Sequence, residues 1–536
     1  MNTALTSSRD AHVEGPPMER LDQLIWVADI PALGSARCAK RDAIVFAEGS
    51  IHTSYAELER QTNAFVAAMR ARGLKPGERI AYLGRNNDLF FAVLFGAIRA
   101  GLVLVPLNWR LAPPELAYQL QDSGSRLVIC DKDFANAAKQ AGADLPAPLP
   151  MLLTEGEPGS GGLRQLLQHA APVVPAPTVA HQVVLQLYTS GTTGKPKGVL
   201  ITHAALSLAR HAELISLDWA DWPGGEVSLS AMPNFHIGGM SWVLVGLVRF
   251  ATVVITADPT PGNMLRLIRQ YAARRSFIVP TVLRAMVDEL RTRNEAAPKM
   301  HGIYYGAMPI GESLLRDLLA MFDCKLGQYF GMTEVTGTAT FLPPRQHDLA
   351  RPHLLKSAGR PITGMSLEIR HPDRRLAKAG EHGEIWIKAP TCMLGYWNLP
   401  EQTAQVLVDG WYATGDGGYL DEEGYLYLTD RIKDMIVSGG ENIYPVEVQE
   451  ALRQHPAVLD ACVVGQRDER WGEVVVAVIE LRPGASATAD ELQAHARTRI
   501  AGYKCPRIVR FDPLPRTASG KLQRAQLRLQ LKDGKG

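Results

Sequence analysis

Residues Tyr188-Thr-Ser-Gly-Thr-Thr-Gly-Lys-Pro-Lys-Gly198 decide how the rest of the chain is read. Eleven positions hold three glycines, four aliphatic hydroxyls, two lysines and a proline. The run before them, 181–187, is apolar and alternating enough to predict a strand. After them come Val199-Leu-Ile-Thr202, with Thr202 placed to cap a helix that begins near Ala204. A Gly-rich loop between strands lets the backbone approach an anion, and its amides, hydroxyls and lysines offer many donors to phosphate. A Walker-type loop needs four residues between its glycines and then Lys-Ser/Thr. Only Thr192 and Thr193 separate Gly191 from Gly194, and Pro196 follows Lys195, so the spacing rejects that motif. The rival reading is an exposed turn without a ligand.

At 536 residues the chain exceeds one ordinary core, so two or more domains are expected. A net charge of +2 provides no basic surplus, and nucleic acid is not expected as a partner. The cysteines at 38, 130, 324, 392, 462 and 505 are scattered without a Cys-x-x-Cys, which predicts neither a disulfide framework nor a zinc site and fits a reducing cytoplasm. Arg9, Asp10 and Glu14 are unlike a secretory signal, and 531–536 holds neither a peroxisomal tripeptide nor a lipidation box. The apolar runs 90–106 and 238–257 are interrupted by Arg99 and Arg249. Each divides near glycine into a helix-like and a β-rich half, so helix followed by buried strand is expected and no transmembrane segment.

Residues 1–17 read as a flexible tail. A hairpin is expected over 43–53, and Ser54-Tyr-Ala-Glu57 forms a capping box for a helix through Arg72. Strands are expected at 77–83, 101–106 and 126–131, with helices at about 88–99 and 114–122 between them. Beyond the Gly-rich loop, strands at 227–232, 252–256, 277–280 and 301–306 alternate with helices at 263–274 and 281–293. This rhythm predicts two doubly wound, parallel α/β subdomains within an N-terminal domain spanning 18–432. From about 356 to 429 short strands and frequent turns predict a small β-rich, barrel-like subdomain. Residues 433–536 read as a small α+β C-terminal domain.

The Gly-rich stretch resembles the signature of the AMP-binding, adenylate-forming superfamily of acyl-CoA synthetases, aryl-CoA ligases, luciferases and peptide-synthetase adenylation domains. The resemblance extends from about residue 40 to 525, motif by motif and in the superfamily's order. It implies that Thr189, Ser190, Gly191, Thr192, Thr193, Gly194, Lys195 and Lys197 hold the β- and γ-phosphates of ATP.

A second constellation is Gly327-Gln-Tyr-Phe-Gly-Met-Thr-Glu334, placed near an expected strand end, where α/β sheets bind ligands. Phe330 offers a ring to adenine, Thr333 a hydrogen bond to an α-phosphate, and Glu334 an oxygen ligand to Mg2+. Read alone, an aromatic beside glycine is more often packing. The segment resembles the superfamily's Tyr-Gly-Met-Thr-Glu motif, with Phe330 in place of tyrosine, which extends the expected nucleotide contacts to Gln328, Tyr329, Gly331 and Met332. Gly306, Ala307 and Met308, in Tyr305-Gly-Ala-Met-Pro309, resemble the other wall of the adenine slot. In Trp411-Tyr-Ala-Thr-Gly-Asp416 and Asp430-Arg-Ile-Lys-Asp434, Asp416 matches the ribose carboxylate, Arg431 its supporting cation and Lys433 the hinge between domains.

Ser438-Gly-Gly-Glu-Asn-Ile-Tyr-Pro445 resembles the pantetheine loop, so Gly439 and Gly440 are expected at coenzyme A, with Lys504 as a nearby contact. Pro515-Arg-Thr-Ala-Ser-Gly-Lys521 ends on the match to the superfamily's catalytic lysine, and a flexible ammonium suits charge stabilisation on a transferring group. His236, in Met232-Pro-Asn-Phe-His-Ile-Gly-Gly239, matches a histidine at the acyl pocket, although an isolated histidine beside apolar residues is usually structural. Ile237, Gly238, Gly239, Tyr329 and Gly331 complete that expected pocket. Acetate-activating relatives carry tryptophan at the place of Gly331, and some aryl ligases carry tyrosine near Gly238 and Gly239. Glycines there imply room for a larger acid, which Tyr329 narrows.

The resemblance thus implies a cytoplasmic acyl-CoA synthetase of fatty acid metabolism that uses ATP, Mg2+ and coenzyme A. Its acid would be a medium- or long-chain fatty or an aromatic monocarboxylic acid, its domains would alternate between half-reactions, and a homodimer is compatible with it. No carrier domain is expected after Lys521, and 232–239 lacks an aspartate to anchor an amino group, which argues against a peptide-synthetase module. An acyl-AMP ligase loading a carrier protein and a non-catalytic nucleotide- or acyl-binding module stay open as alternatives.

Overall fold

The computed structural model describes residues 10–143, 145–156, 161–169, 179–189, 195–216, 222, 225–308, 310–431, 434, 436–438, 441–468, 471–500, 502–516 and 522–533. The chain forms two compact units, Glu14–Ser366 with Ile387–Tyr412, and Met1–Val13 with Leu367–Trp386 and Ala413–Gly536.

The larger unit contains two sheets. In the seven-stranded one the order is Gly395–Tyr396, Lys197–Thr202, Val183–Thr189, Val103–Leu107, Arg79–Leu83, Leu127–Cys130 and Met151–Leu153. The pairs from Val183–Thr189 onward are parallel, while Val183–Thr189 and Lys197–Thr202 form an antiparallel hairpin around the Gly-rich loop. The nine-stranded sheet has a parallel centre, in which Val227–Ser230 lies between Arg275–Phe277 and Thr252–Ile255 and the latter pairs with Asp42–Phe46. Gly302–Gly306 and Lys325–Met332 continue it in parallel on the other side, and both ends finish antiparallel. Both sheets thus read as the doubly wound α/β layers expected.

Local signals account for the helix starts. The Thr202 hydroxyl accepts from the Ala205 amide at 3.1 Å and opens helix His203–Ile215; the Ser54 hydroxyl does the same for Glu57 at 3.2 Å and opens Tyr55–Ala71. The two apolar runs resolve into helix Leu89–Ala100 before strand Val103–Leu107, and helix Ile237–Val248 before strand Thr252–Ile255. Every residue of Leu89–Ala100 is buried, Arg99 included. Its guanidinium donates to the Ala28 carbonyl at 2.9 Å and to both Glu59 oxygens, at 2.8 and 2.6 Å. Among the described residues no helix is long and apolar enough to cross a membrane, and all six cysteines are free.

In the smaller unit, strands Ser366–Arg370, Gly383–Lys388, Trp411–Leu420 and Leu426–Arg431 follow one another in a mainly short-stranded sheet. A second sheet runs Glu441–Ile443, Ile436–Ser438, Gly472–Leu481 and Val458–Asp468, with Ile508–Phe511 also on Gly472–Leu481. Helices Pro445–Arg453 and Ala489–Arg497 pack their Val448, Leu452, Leu492 and Ala496 into its core.

Two expectations need correction. The N-terminal tail contains a strand, His12–Glu14, preceded by an Asp10–Lys378 bridge and by the Ala11 amide donating to the Ala377 carbonyl at 2.8 Å. The strand expected at 277–280 is Arg275–Phe277, because Pro280 already opens helix Pro280–Arg293. The buried Arg275 had disguised that strand; its Nε reaches Glu226 at 2.6 Å.

His203 and His347 are both buried in the larger unit, and burial pushes each imidazole down to about 4. The unfolded chain takes up these protons near pH 6.5 (roughly the free imidazole value), so it binds more protons than the fold between there and about 4. Stability therefore falls as pH drops through that window, by up to about 2 kcal/mol per histidine at pH ~5. Thermal midpoints measured across this range should decline on acidification, and His347→Gln should flatten the decline; a flat wild-type profile would contradict the assignment.

Candidate active site

Strand Lys325–Met332 is joined to Gly337–Leu342 by a single turn of 3-10 helix, Thr333–Val335, with Thr336 at φ 61° and Gly337 at φ 117°. The turn directs Glu334 inward. Only 8% exposed, its Oε1 accepts from the Thr189 hydroxyl and from the Tyr396 phenol, each at 3.3 Å. Its carbonyl accepts from the Met393 amide at 2.7 Å. Three distant segments thus converge on one carboxylate residue: the strand end from which the Gly-rich loop departs, the 327–334 motif, and the segment after Met393.

Both legs of the loop are anchored. Thr189 lies opposite Lys197 in the hairpin register, and Lys197 Nζ stands 4.8 Å from the centre of the Tyr396 ring. Lys195 Nζ is 5.5 Å from the Tyr118 ring, whose hydroxyl donates to the Pro196 carbonyl at 3.2 Å. Trp397 donates its amide to Gly198 at 2.7 Å and its indole N–H to the Asp122 carbonyl at 2.8 Å, while the Arg79 guanidinium lies 3.6 Å above its ring. The Tyr188 phenol donates to Asp122 Oδ2 at 2.6 Å, and burial with that carboxylate raises its pKa. Ser190, Gly191, Thr192, Thr193 and Gly194 lie outside the described residues.

The expected adenine walls are adjacent strand ends. Gly306 is in register with Tyr329, and a Cβ at Gly306 would stand 2.4 Å from the Tyr329 carbonyl oxygen, so only glycine permits this approach. Ala307 follows at φ 65°, a left-handed conformation that turns the chain sharply at the strand end, with Met308 half-buried behind it. Phe330 and Met332 are also half-buried. Gln328 is occupied within the fold, its amide oxygen accepting from the Tyr305 hydroxyl at 3.3 Å.

His236 precedes helix Ile237–Val248, half-buried, with its ring 4.5 Å from that of Phe235. Burial, assisted by the nearby positive Arg110, pushes its imidazole down to about 4, so it is neutral at pH 7. Tyr329 points to the opposite side of its strand from Gln328 and Phe330 and packs in an aromatic wall. Its ring centre lies 4.8 Å from Phe341, 5.7 Å from Tyr304 and 5.9 Å from Phe277.

The three glycines read as pocket space have different reasons. A Cβ on Gly238 would meet only Phe277, at 3.8 Å. On Gly239 it would stand 2.3 Å from the Pro233 carbonyl oxygen, and on Gly331 1.8 Å from that of Gly337. Gly238 faces open space; Gly239 and Gly331 are needed for close backbone approach.

In the smaller unit, Asp416 is paired across strands with Arg431, at a bulge, and its amide donates to the Thr414 hydroxyl at 3.0 Å. Gly415, at φ 72°, donates to Glu384 Oε1 at 2.9 Å and aims the bulge. Lys504 Nζ is held by both Glu447 oxygens, at 2.7 and 2.8 Å. Lys433, Gly439, Gly440 and Lys521 lie outside the described residues. The sequence reading missed Tyr396, Trp397 and Asp122; the aromatic pair after Gly395 was the available signal.

Known proteins resemble this chain in sequence and in fold. Residues 34–397 match the AMP-binding enzyme family, and 447–521 match the AMP-binding enzyme C-terminal domain. The fatty acid–[acyl-carrier-protein] ligase ScoC of Streptomyces coeruleorubidus is 38% identical over 90% of this chain and 92% of its own. A feruloyl-CoA synthase from Amycolatopsis sp is 37% identical over 90% and 94%. The structure of o-succinylbenzoate CoA synthetase (MenE) from Bacillus subtilis, in complex with the acyl-adenylate intermediate OSB-AMP, aligns at a TM-score of 0.82 and 30% identity over 95% of this chain and 98% of that one. The fold and its relatives define an AMP-forming acid–thiol ligase. The chain belongs to the AMP-binding enzyme family.

The glycine geometry is directly testable. Gly331→Ala and Gly239→Ala should each cost about 2–3 kcal/mol in unfolding free energy, whereas Gly238→Ala, in a helix, should stay within about 1 kcal/mol of wild type. Chemical denaturation of the three variants measures this; equal effects would mean that Gly331 and Gly239 are not packing positions.

Proposed function

We propose that this protein is an ATP-dependent acyl-CoA synthetase that activates a monocarboxylic acid larger than acetate. A carboxylate is a poor electrophile until its oxygen carries a better leaving group. In the first step a carboxylate oxygen bonds to the α-phosphorus of ATP, and the bond from that phosphorus to the bridging oxygen breaks, releasing pyrophosphate. In the second the coenzyme A sulfur bonds to the acyl carbon, the thiol proton is released and AMP leaves. Positioning and charge stabilisation do most of this work. The observation that carries the reading is the meeting of the Gly-rich loop's strand, the 327–334 motif and Tyr396 on the Glu334 carboxylate.

In this reading the loop 189–197 grips the β- and γ-phosphates. Residues 306–308 and 328–332 flank the base, Thr333 bonds the α-phosphate, and Asp416 with Arg431 holds the ribose. Among the described residues no three His, Cys, Asp or Glu side chains form a metal cage. One buried carboxylate beside two hydroxyls suits Mg2+, an ion that takes its remaining oxygens from phosphates and water. Held by Glu334, it would neutralise triphosphate charge. His236, neutral at working pH, orients the acid without adding charge. Lys521 bridges the carboxylate and the α-phosphate, then withdraws as the C-terminal domain turns about Lys433 and brings Gly439, Gly440 and Lys504 to coenzyme A. The protein works in a reducing cytoplasm, in keeping with its six free cysteines.

A second reading, transfer of the acyl group to a carrier protein, is favoured by the likeness to ScoC. Pyrophosphate release with short, medium, long and aromatic acids tests both readings, each run with free coenzyme A and with a phosphopantetheinylated carrier. Pyrophosphate with a suitable acid and acyl-CoA as product are expected. Carrier-only acylation selects the second reading, and no pyrophosphate with any acid defeats both. Lys521→Ala should lower adenylate formation by at least about a hundredfold while thioester formation from preformed acyl-AMP persists; equal loss of both steps would remove Lys521 from its role.

A further inference from the structure

Strand Arg79–Leu83 of the seven-stranded sheet ends three residues before Asn86, whose side chain is 5% exposed and reaches across to the nine-stranded sheet. Its Nδ2 donates to the Met232 carbonyl at 2.8 Å and to the Thr256 carbonyl at 3.0 Å, and its Oδ1 accepts from the Asn234 amide at 2.8 Å. These partners fix which way the carboxamide points. Reversed, it would set an oxygen against two carbonyls and a donor against a peptide N–H. One side chain thus ties the ends of two paired strands, Val227–Ser230 and Thr252–Ile255, to the other sheet.

What Asn86 holds is the segment that carries His236. Residues 231–236 join strand Val227–Ser230 to helix Ile237–Val248. Their main chain is gripped at Met232 and Asn234, on either side of Pro233, and the Pro233 carbonyl accepts from the His236 amide at 3.1 Å. At the helix start, Gly239 admits both the Met232 and the Pro233 carbonyl oxygens, at 2.8 and 2.3 Å from where a Cβ would stand. Among the described residues no other side chain hydrogen-bonds the main chain of 231–236. The buried carboxamide of Asn234 has no partner there with which to brace the segment. A short hydrogen-bonded route from the His236 main chain to the seven-stranded sheet therefore runs through Asn86.

That route joins two halves of one reaction. Adenylate formation needs a carboxylate oxygen held in line with the α-phosphorus. The histidine that orients the acid follows a strand of the nine-stranded sheet, whereas Thr189 and Lys197, at the two feet of the Gly-rich loop, belong to the seven-stranded one. We propose that Asn86 is a positioning residue for acid activation: its three hydrogen bonds set His236, and with it the acid, against the phosphates. The proposal rests on the acid-activating reading above and adds to it a residue that acts through the 231–236 segment.

The test uses the full-length protein and an acid that releases pyrophosphate. Asn86→Ala, and Asn86→Ser, which is small and polar enough to leave room for a water, are first checked for a cooperative unfolding transition. In the folded variants kcat/KM for the acid should fall by about tenfold to a hundredfold, the size expected of a misplacement of about 1 Å, while KM for ATP stays within about twofold of wild type. In a His236→Ala background the same substitutions should cost less than about twofold, since the group they position is gone. A general loosening of the fold would raise KM for ATP as well and would cost as much with His236→Ala as without it. That outcome, an unchanged kcat/KM for the acid, or failure of both variants to fold would each overturn the proposal. No pyrophosphate from the wild type with any acid defeats the acid-activating reading and this proposal with it, whereas an active wild type with additive variants defeats this proposal alone.

Discussion

The larger unit depends on a buried carboxylate that is made tolerable by hydroxyl donors from elsewhere in the chain. Glu334 is too deep for water to solvate freely, and an unpaired carboxylate there would be strongly disfavoured. Thr189 and Tyr396 supply the hydroxyls, and each stands at a strategic point: one where the Gly-rich loop leaves its strand, the other on the edge strand of the same sheet. Satisfying Glu334 therefore fixes the loop's exit relative to strand Lys325–Met332, although the two belong to different sheets. Arg79, Trp397, Asp122 and Tyr188 extend this fixation around the base of the hairpin.

What could be read from the sequence was local. The Thr202 and Ser54 caps lie within a few residues of the amides they serve, and the alternation of strand and helix carries its period in the residues themselves. Glu334 was legible because the 327–334 motif places a carboxylate beside glycine, an aromatic and a hydroxyl. Its partner Tyr396, sixty-two residues later, was missed, since the aromatic pair after Gly395 marks the place without telling a carboxylate donor from a packing residue. Glycine was the most misleading letter. It records that a side chain is absent and does not reveal the direction in which one would have pointed, so Gly238 and Gly331 looked alike although one faces open space and the other a carbonyl. The charge on Arg275 hid a buried strand in a similar way, because its ion-pair partner Glu226 lies outside the local window.

In the proposed reading, ligand chemistry and fold stability draw on the same groups. Tyr329 belongs to a stack with Tyr304 and Phe341, while its main-chain oxygen sets the close approach of Gly306. Altering the ring to widen an acyl pocket would also disturb the aromatic wall between the sheet and helix Ile237–Val248. Gly238 escapes this double duty, because its open side is bounded only by the Phe277 ring.

Arg99 has a consequence that precedes folding. While the chain is being made, Leu89–Ala100 emerges as an almost uninterrupted apolar helix followed closely by an apolar strand, the kind of segment that membrane-insertion machinery samples. A central arginine costs roughly 2.5–3.5 kcal/mol in such an insertion decision. In the finished protein the same charge is neutralised by Glu59, which is synthesised forty residues earlier and is already available when Arg99 appears. One side chain thus biases the nascent segment away from the bilayer and then joins its helix to the one made before it.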